Sequence, residues 1–508
     1  MIEKLKSEIE SVFVSLDGKY INFPCEAIKS SKPEVINLDG NVYPTDKKEA
    51  VTITYMLPNG EEYEKIYTIY SREEIEAISH FLDKKYGLFV HYVWSGKRHK
   101  DKGITGRTPN GVEAQSVNEM IENFDVKQFA DDCEAFGLQY VIFTAWHYAM
   151  HPLYPSEVFK KWRVEKEDNP TVDLIERIYD ELNARNIDLL IYSHPYDIHD
   201  LYEEDQLKFD YKHYADADFD YKLWNDYLNE TYKELCERYK GRVKGFFFDE
   251  GIPELSNSRG VDYDRLRNTV KSIDPSYIMI QNFYGSKFTC DTAMKEDMLQ
   301  WHGAMIDDLN TWQTYEMSYG ARVGKTPFAW WATYNRGDKD DMNIAKAEDL
   351  YRFTVMEAGI NNQGGGTAYA MGPYMGLNDV TGGDIWEDGI RDLFIKINEY
   401  MEPIEKSIKN TIPSRSYPTR MSVKFPELEW GVATETLDGK TTYLHILKSP
   451  EGKTLEIGKP KDSKEFVKAY LLDGNISVDI CKCDEEIAIT IPDDMEWNEL
   501  NTVIALEA

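Results

Sequence analysis

Asp249 directly follows the run Val243-Lys244-Gly245-Phe246-Phe247-Phe248. A carboxylate after so apolar a stretch is costly to place unless water, a partner or a reaction uses it. Capping a helix at a strand-to-helix turn is the other use of an Asp there. Glu250 is adjacent, but neighbours on a strand point to opposite faces, so one of the two faces the strand end's interior side. Histidines stand at the ends of other apolar runs. His91 stands near the end of Gly87–Val93, His147 follows Leu138–Thr144, His194 follows Ile187–Ser193, and His302 follows Met298–Trp301. These are four of only 10 His in the chain. Imidazoles and a carboxylate so arranged could hold a divalent ion. They could equally hydrogen-bond a hydroxylated ligand. Trp94, Trp146, Tyr148, Phe247 and Trp331 accompany them, and flat half-polar rings suit stacking on sugars. Against a metal, the first run carries no His-x-His, the usual way to present two ligands from one strand.

Positioning these residues requires strand ends that converge. From about residue 85 the chain alternates apolar runs with amphipathic segments. Eight runs read as strands: Gly87–Val93, Leu138–Thr144, Ile187–Ser193, Val243–Phe248, Tyr277–Gln281, Met298–Trp301, Phe328–Ala332 and Gly366–Met371. Between several lie helical patterns, among them Leu174, Ile175, Ile178 and Leu182. Strands buried on both faces and alternating with helices imply a parallel sheet. Eight of them predict a (β/α)8-like barrel, whose chemistry sits at the C-terminal strand ends.

Before this barrel (81–410), residues 1–80 read as a small β-rich accessory unit with a hairpin tip at Asn59-Gly60. After it, residues 411–508 lose the helical period. Short alternating runs between turns predict a C-terminal antiparallel β-sandwich. The fold class is therefore α/β, a barrel flanked by two β units.

Composition excludes some partners. The 508 residues carry a formal net charge of −32, a field that repels nucleic acid and anionic lipid surfaces. The 34 Tyr, 21 Phe and 11 Trp are mostly core, with a surplus suited to sugars. No apolar run of about 18 residues suggests a membrane span. The charged start, MIEKLKSEIESVF, lacks the apolar region of a signal peptide. The six Cys form no CxxC pair. A cytoplasmic protein with free thiols is expected, and a homo-oligomer is left open.

These pieces, in this order, resemble glycoside hydrolase family 29, the α-L-fucosidases, over about residues 85–508. Tyr86-Gly87-Leu88-Phe89-Val90-His91-Tyr92 is similar to the family's first-strand Phe-Gly-(apolar)-Phe-(apolar)-His-Trp pattern. Phe124-Asp125 through Ala145 follows its helix-to-second-strand segment. Lys244-Gly245-Phe246-Phe247-Phe248-Asp249 resembles the strand that carries the nucleophile. Gly364-Gly365-Gly366 and Met371-Gly372-Pro373 are similar to its eighth-strand region.

The resemblance implies retaining hydrolysis of terminal α-L-fucosyl residues from an oligosaccharide or glycoconjugate, with no cofactor and no metal. Asp249 is then the nucleophile, and His91 and His147 bind sugar hydroxyls. Trp94, Trp146, Tyr148, His194, Phe247 and Trp331 are the further substrate-binding candidates. For the acid/base, a Trp-Glu pair in the family precedes an aromatic-Gly-Tyr-Asn strand. Here Tyr315-Glu316 precedes Trp331-Ala332-Thr333-Tyr334-Asn335, so Glu316 is the implied residue. Glu296, Asp307 and Asp308 are the alternatives. The chain departs from the family at Lys-His-His-Asp-Gly-Phe, which here reads Trp146-His147-Tyr148-Ala149-Met150-His151. That departure keeps two other readings open: a retaining glycosidase for a different sugar, or a non-catalytic carbohydrate-binding barrel.

Overall fold

The computed structural model describes the chain outside residues 1, 11, 13, 15–18, 95–113, 148–149, 165, 212–219, 250–259, 283–289, 297–314, 321, 325–341, 345, 361–364, 371–385, 387–388, 420–427 and 483–485. Eight parallel strands close into a barrel: Tyr86–Val90, Tyr140–Thr144, Asp188–Ser193, Gly245–Phe248, Ile278–Asn282, Thr292–Glu296, Tyr315–Gly320 and Gly365–Ala370. Six coincide with the expected runs. The sixth and seventh positions are filled earlier in the chain than expected. The runs Met298–Trp301 and Phe328–Ala332 lie outside the described residues. The reason is compositional: Thr-Ala-Met-Lys-Glu and Tyr-Glu-Met-Ser-Tyr-Gly carry polar residues through the strand, so neither reads as a doubly buried run.

The strands alternate two environments. Val141, Phe143, Leu189, Ile191, Phe246 and Phe248 pack outward into the main core, with Phe129, Ile178, Leu228 and Leu266 of the surrounding helices. Phe89, Tyr140, Ile142, Leu190, Tyr192, Phe247, Ile278, Ile280 and Ala368 point inward and fill the lumen. The two-residue period of a pleated strand produces this division. Gly87 lets the lumen pack near its base. A Cβ there would lie 2.3 Å from the Tyr140 ring, whose hydroxyl donates to the Thr367 carbonyl at 3.0 Å.

The ladder is staggered. Phe248, the last residue of strand four, pairs with Gln281, Gln281 with Ala293, Ala293 with Tyr315, and Tyr315 with Gly365. Tyr315 and Gly365 are the first residues of their strands. One rung thus descends from the C-terminal end of the barrel to its N-terminal end, as tilted strands in a closed barrel require.

The N-terminal segment has a definite place. Ala27–Ser30, Glu49–Met56 and Glu62–Ile69 form an antiparallel sheet, and the expected hairpin turns at Gly60. The helix Arg72–Leu82 then spans the expected boundary at residue 80. Its Ile78 and Phe81, with Tyr70 ahead of it, join the lumen cluster and close the barrel's floor. Phe81 meets Tyr140 edge-on at 5.5 Å. A buried ion cluster fastens this helix. Glu74, in a capping box with Ser71, pairs with Arg267 at 2.7 Å. Arg267 and Lys271 both reach Asp291, at 2.8 and 2.7 Å. Burial alone would raise the Asp291 carboxyl, but the two cations outweigh it and hold it at about 2.

At the other end, a six-stranded antiparallel sheet that includes Gly431–Thr436, Thr441–Ile446 and Thr502–Glu507 faces a three-stranded one, Thr454–Gly458, Glu486–Thr490 and Asp479–Lys482. Leu444, Ile446, Leu455, Ile457, Ile489 and Ile504 fill the space between. This sandwich docks on the barrel helix Ala347–Gly359. A Cβ at Gly359 would fall 2.6 Å from Val432, so only glycine permits that approach. No helix among the described residues is long and apolar enough to cross a membrane.

Removing one member of a buried ion cluster leaves the others uncompensated, at about 3–5 kcal/mol. Asp291→Asn is expected to lower the urea midpoint accordingly. The Asp291 carboxyl titrates lower in the fold than the usual Asp value of about 3.9. Its stabilisation is therefore present above about pH 4 and lost as pH falls toward 2. The urea midpoint should fall over that window in the wild type and fall less in Asp291→Asn.

Candidate functional site

Strands one to four are consecutive neighbours in the barrel, and their C-terminal ends form one arc. His91 and Asp249 each lie two residues beyond an inward-facing Phe, Phe89 and Phe247, and so continue the lumen face. His194 continues from Tyr192 in the same way. His147 follows strand two by three residues. All four groups are buried.

Their rings form a connected set. His91 meets Tyr192 edge-on at 4.7 Å and lies 5.5 Å from His147. His147 lies 5.4 Å from Tyr192 and stacks on His194 at 5.3 Å, the two rings within 15° of parallel. Beneath them, Phe247 stacks on Tyr192 at 5.6 Å and meets Phe89 edge-on at 4.9 Å. Phe247, expected at the binding surface, is instead the floor under it.

Asp249 is fixed from two directions. Its backbone N–H donates to the Ser193 carbonyl at 2.9 Å, and one carboxylate oxygen accepts from the Tyr192 hydroxyl. Ser193 braces the same strands: its hydroxyl donates to the Phe247 carbonyl at 3.0 Å and accepts from Tyr232 at 2.5 Å. His91 faces this carboxylate region as a neutral ring. Burial first, and then the charge of His194, push its imidazole down to about 3.

The remaining expected residues divide. Trp146 is only 1 % exposed and packs edge-on against Tyr232 in the sheet–helix core, its indole N–H donating to the His194 carbonyl at 3.3 Å. It supports His194 and presents no open face to a sugar. Trp94 is buried in the same core. Tyr148, Trp331, Asp307 and Asp308 lie outside the described residues, as does Glu250. Glu316 is the second residue of strand seven, one past Tyr315 on the descending rung, low in its strand. Glu296 is the last residue of strand six, at the same end of the barrel as Asp249. Among the described residues, no group of three or more His, Cys, Asp or Glu is arranged to hold a metal.

Two residues here escape a sequence reading. Tyr192 sits inside an apolar strand and looks like core. The available signal is its position two residues before His194, on the same face. Asp197, in the turn after strand three, is fully buried, with Oδ1 2.9 Å from His194 Nδ1 and 4.0 Å from His147 Nδ1. A buried Asp three residues beyond a strand-end His is the only trace of it in the sequence.

Residues 110–328 match the family model for alpha-L-fucosidase. The whole fold is similar to solved alpha-L-fucosidases. Isoenzyme 1 from Paenibacillus thiaminolyticus is 19% identical, with TM-score 0.60, over 86% of this chain and 99% of that one. An alpha-L-fucosidase of glycoside hydrolase family 29 from Bacteroides thetaiotaomicron is 17% identical, with TM-score 0.58, over 85% and 94%. The Thermotoga maritima alpha-fucosidase in complex with a mechanism-based inhibitor is 14% identical, with TM-score 0.55, over 85% and 96%. No curated protein sequence matches the chain. The family match spans residues 110–328, and the structural likeness is one of fold, a barrel followed by a sandwich.

His91 is expected to stay neutral well below the usual imidazole range. Its ring nitrogen NMR shifts should hold constant from pH 8 down to about 5, where an ordinary His titrating near 6.5 has already changed. A midpoint near 6.5 would contradict the burial described.

Proposed function

We propose that the protein is a retaining exo-glycosidase that removes terminal α-L-fucosyl residues, with Asp249 as nucleophile. The observation that carries this reading is the buried Asp249 carboxylate at the end of strand four. It accepts from the neutral Tyr192 hydroxyl and stands in an arc with three imidazoles. The match of residues 110–328 supports the sugar class.

In the first step the Asp249 carboxylate attacks the anomeric carbon. The bond to the leaving oxygen breaks through an oxocarbenium-like state, and that oxygen takes a proton from a second carboxyl group. In the second step the deprotonated carboxylate removes a proton from water. The water oxygen bonds to the anomeric carbon, and Asp249 leaves. The Tyr192 hydroxyl restrains the attacking oxygen's partner, fixing the direction of attack. His91 and His147 bind ring hydroxyls, and the neutral state of His91 leaves it a donor at one nitrogen and an acceptor at the other.

For the second carboxyl we assign Glu296 over Glu316. Chemistry in such barrels takes place at the C-terminal strand ends. Glu296 ends its strand there, whereas Glu316 lies near the start of its own. A different sugar on the same machinery is the second reading. It is favoured by Tyr148-Ala149 in place of the family's His-Asp after His147.

A panel of 4-nitrophenyl glycosides should show turnover greatest for the α-L-fucoside. Asp249→Ala is expected to lower kcat by at least about 10³-fold. Loss of the acid/base is worth about 10²–10⁴-fold. Glu296→Ala should show that loss with a poor leaving group and far less with 2,4-dinitrophenolate, with azide restoring the second step. Glu316→Ala should stay within a few fold. The opposite pattern would return the role to Glu316. Tyr192→Phe removes a hydrogen bond to a charged group and should cost about tenfold in kcat.

A further inference from the structure

Lys48 stands at the barrel's floor, beside the ion cluster of Asp291, and no carboxylate among the described residues forms an ion pair with it. It immediately precedes the strand Glu49–Met56. Neighbouring positions on an extended chain point to opposite faces, and here they separate two lysines. Lys47 faces solvent, its side chain 82% exposed, 3.7 Å from the Glu49 carboxylate that also pairs with Lys32. Lys48 is part-buried, with Nζ 5.0 Å from the centroid of the Tyr70 ring. The Arg267 guanidinium stands 5.9 Å from the same ring. One buried ring thus has two cations against it. Arg267 and Lys271 already take up both carboxylates of the cluster, Glu74 and Asp291. With Lys48 charged, this corner holds the cations Lys48, Arg267 and Lys271 against the anions Glu74 and Asp291. It balances when Lys48 is an uncharged amine.

Burial acts in the same direction. Burial first, and then the Arg267 charge, bring the Lys48 ammonium below the ordinary lysine value; Lys271 adds to this, while Asp291 and Glu74 oppose it. An uncharged amine keeps its lone pair. Desolvation beside another cation is how a lysine becomes a nucleophile.

We propose that Lys48 is an acylation site, a nucleophilic amine that accepts the acyl group of an acyl phosphate. The Nζ lone pair attacks the carbonyl carbon. The N–C bond forms, the bond from that carbon to the phosphate oxygen breaks, and phosphate leaves with the electron pair. The amine gives up one proton to water. The amide formed is neutral, so Arg267 and Lys271 remain balanced by Glu74 and Asp291. The inference is independent of the glycosidase reading, since the floor is the end of the barrel away from Asp249.

The test uses the wild-type protein with acetyl phosphate at neutral pH. Acetylation of Lys47 and Lys48 is timed by mass spectrometry of one peptide that carries both. Accessibility alone favours Lys47. A larger uncharged fraction favours Lys48, which should acetylate faster by at least about threefold. The gap should narrow as pH rises toward about 10.4, the ordinary lysine value. In concentrated urea the two should react equally, because the fold makes the difference. Lys48→Arg should remove the fast site and leave the rate at Lys47 unchanged. Equal rates in the folded protein at neutral pH, or Lys47 ahead, would overturn the proposal. So would a Lys48 advantage that persists undiminished in urea, which would assign it to the local sequence, or one that does not narrow with pH.

Discussion

Asp291 is held from two elements at once and tied through one of them to a third. Arg267 and Lys271 approach it from the helix between strands four and five, and the Met279 backbone N–H donates to it from strand five at 2.9 Å. Through Arg267 it is also tied to Glu74, on the helix that closes the floor. Asp291 immediately precedes strand six. The cluster therefore decides where strand six starts, and a strand's start fixes which residue stands at its far end. A slip of one residue would exchange its two faces. Glu296 stands at the mouth because Asp291 is anchored at the floor.

The mouth is built on a different principle. The floor joins opposite charges in the dark; at the mouth, a neutral hydroxyl reaches the carboxylate. Tyr192 supplies a neutral hydroxyl to Asp249, and burial keeps His91 uncharged. Such surroundings suit a neutral, hydroxyl-rich ligand, whose recognition relies on hydrogen bonds and excluded water. The acidic character of the chain agrees with this, since a field of that sign opposes polyanions and leaves a neutral glycan unaffected.

Much of the fold was legible in the sequence where residues served one purpose. Strands one to five and eight are apolar on both faces, and their runs stand out. Strands six and seven carry Lys295, Glu296, Glu316 and Ser318 within the ladder, so hydropathy reads past them to richer aromatic runs downstream. The sandwich was legible from its alternation. The role of the first 80 residues was not, because a helix that plugs a barrel looks like any amphipathic helix until its distant partners, Tyr140 and Arg267, are known. In the site, Asp249, His91, His147 and His194 announced themselves as polar residues at apolar run ends. Tyr192 and Asp197 did not. A tyrosine in a strand and an aspartate in a turn are the ordinary residues of such places. Trp146 misled for a related reason: an indole next to a site histidine can stack on a ligand or brace the histidine, and only its burial distinguishes the two.

The plug has a consequence for how the chain reaches this state. Glu74 and Arg267 are 193 positions apart, and their ion pair ties the helix under the floor to the barrel. The floor thus cannot be completed until at least the fifth strand's helix has been synthesised, and the earliest part of the polypeptide must wait for it with Ile78 and Phe81 uncovered. Contacts of such long sequence separation slow folding, because loop closure precedes any gain from the contact. The N-terminal unit is in this sense the last stave fitted to the barrel, although it is the first part of the chain to be made.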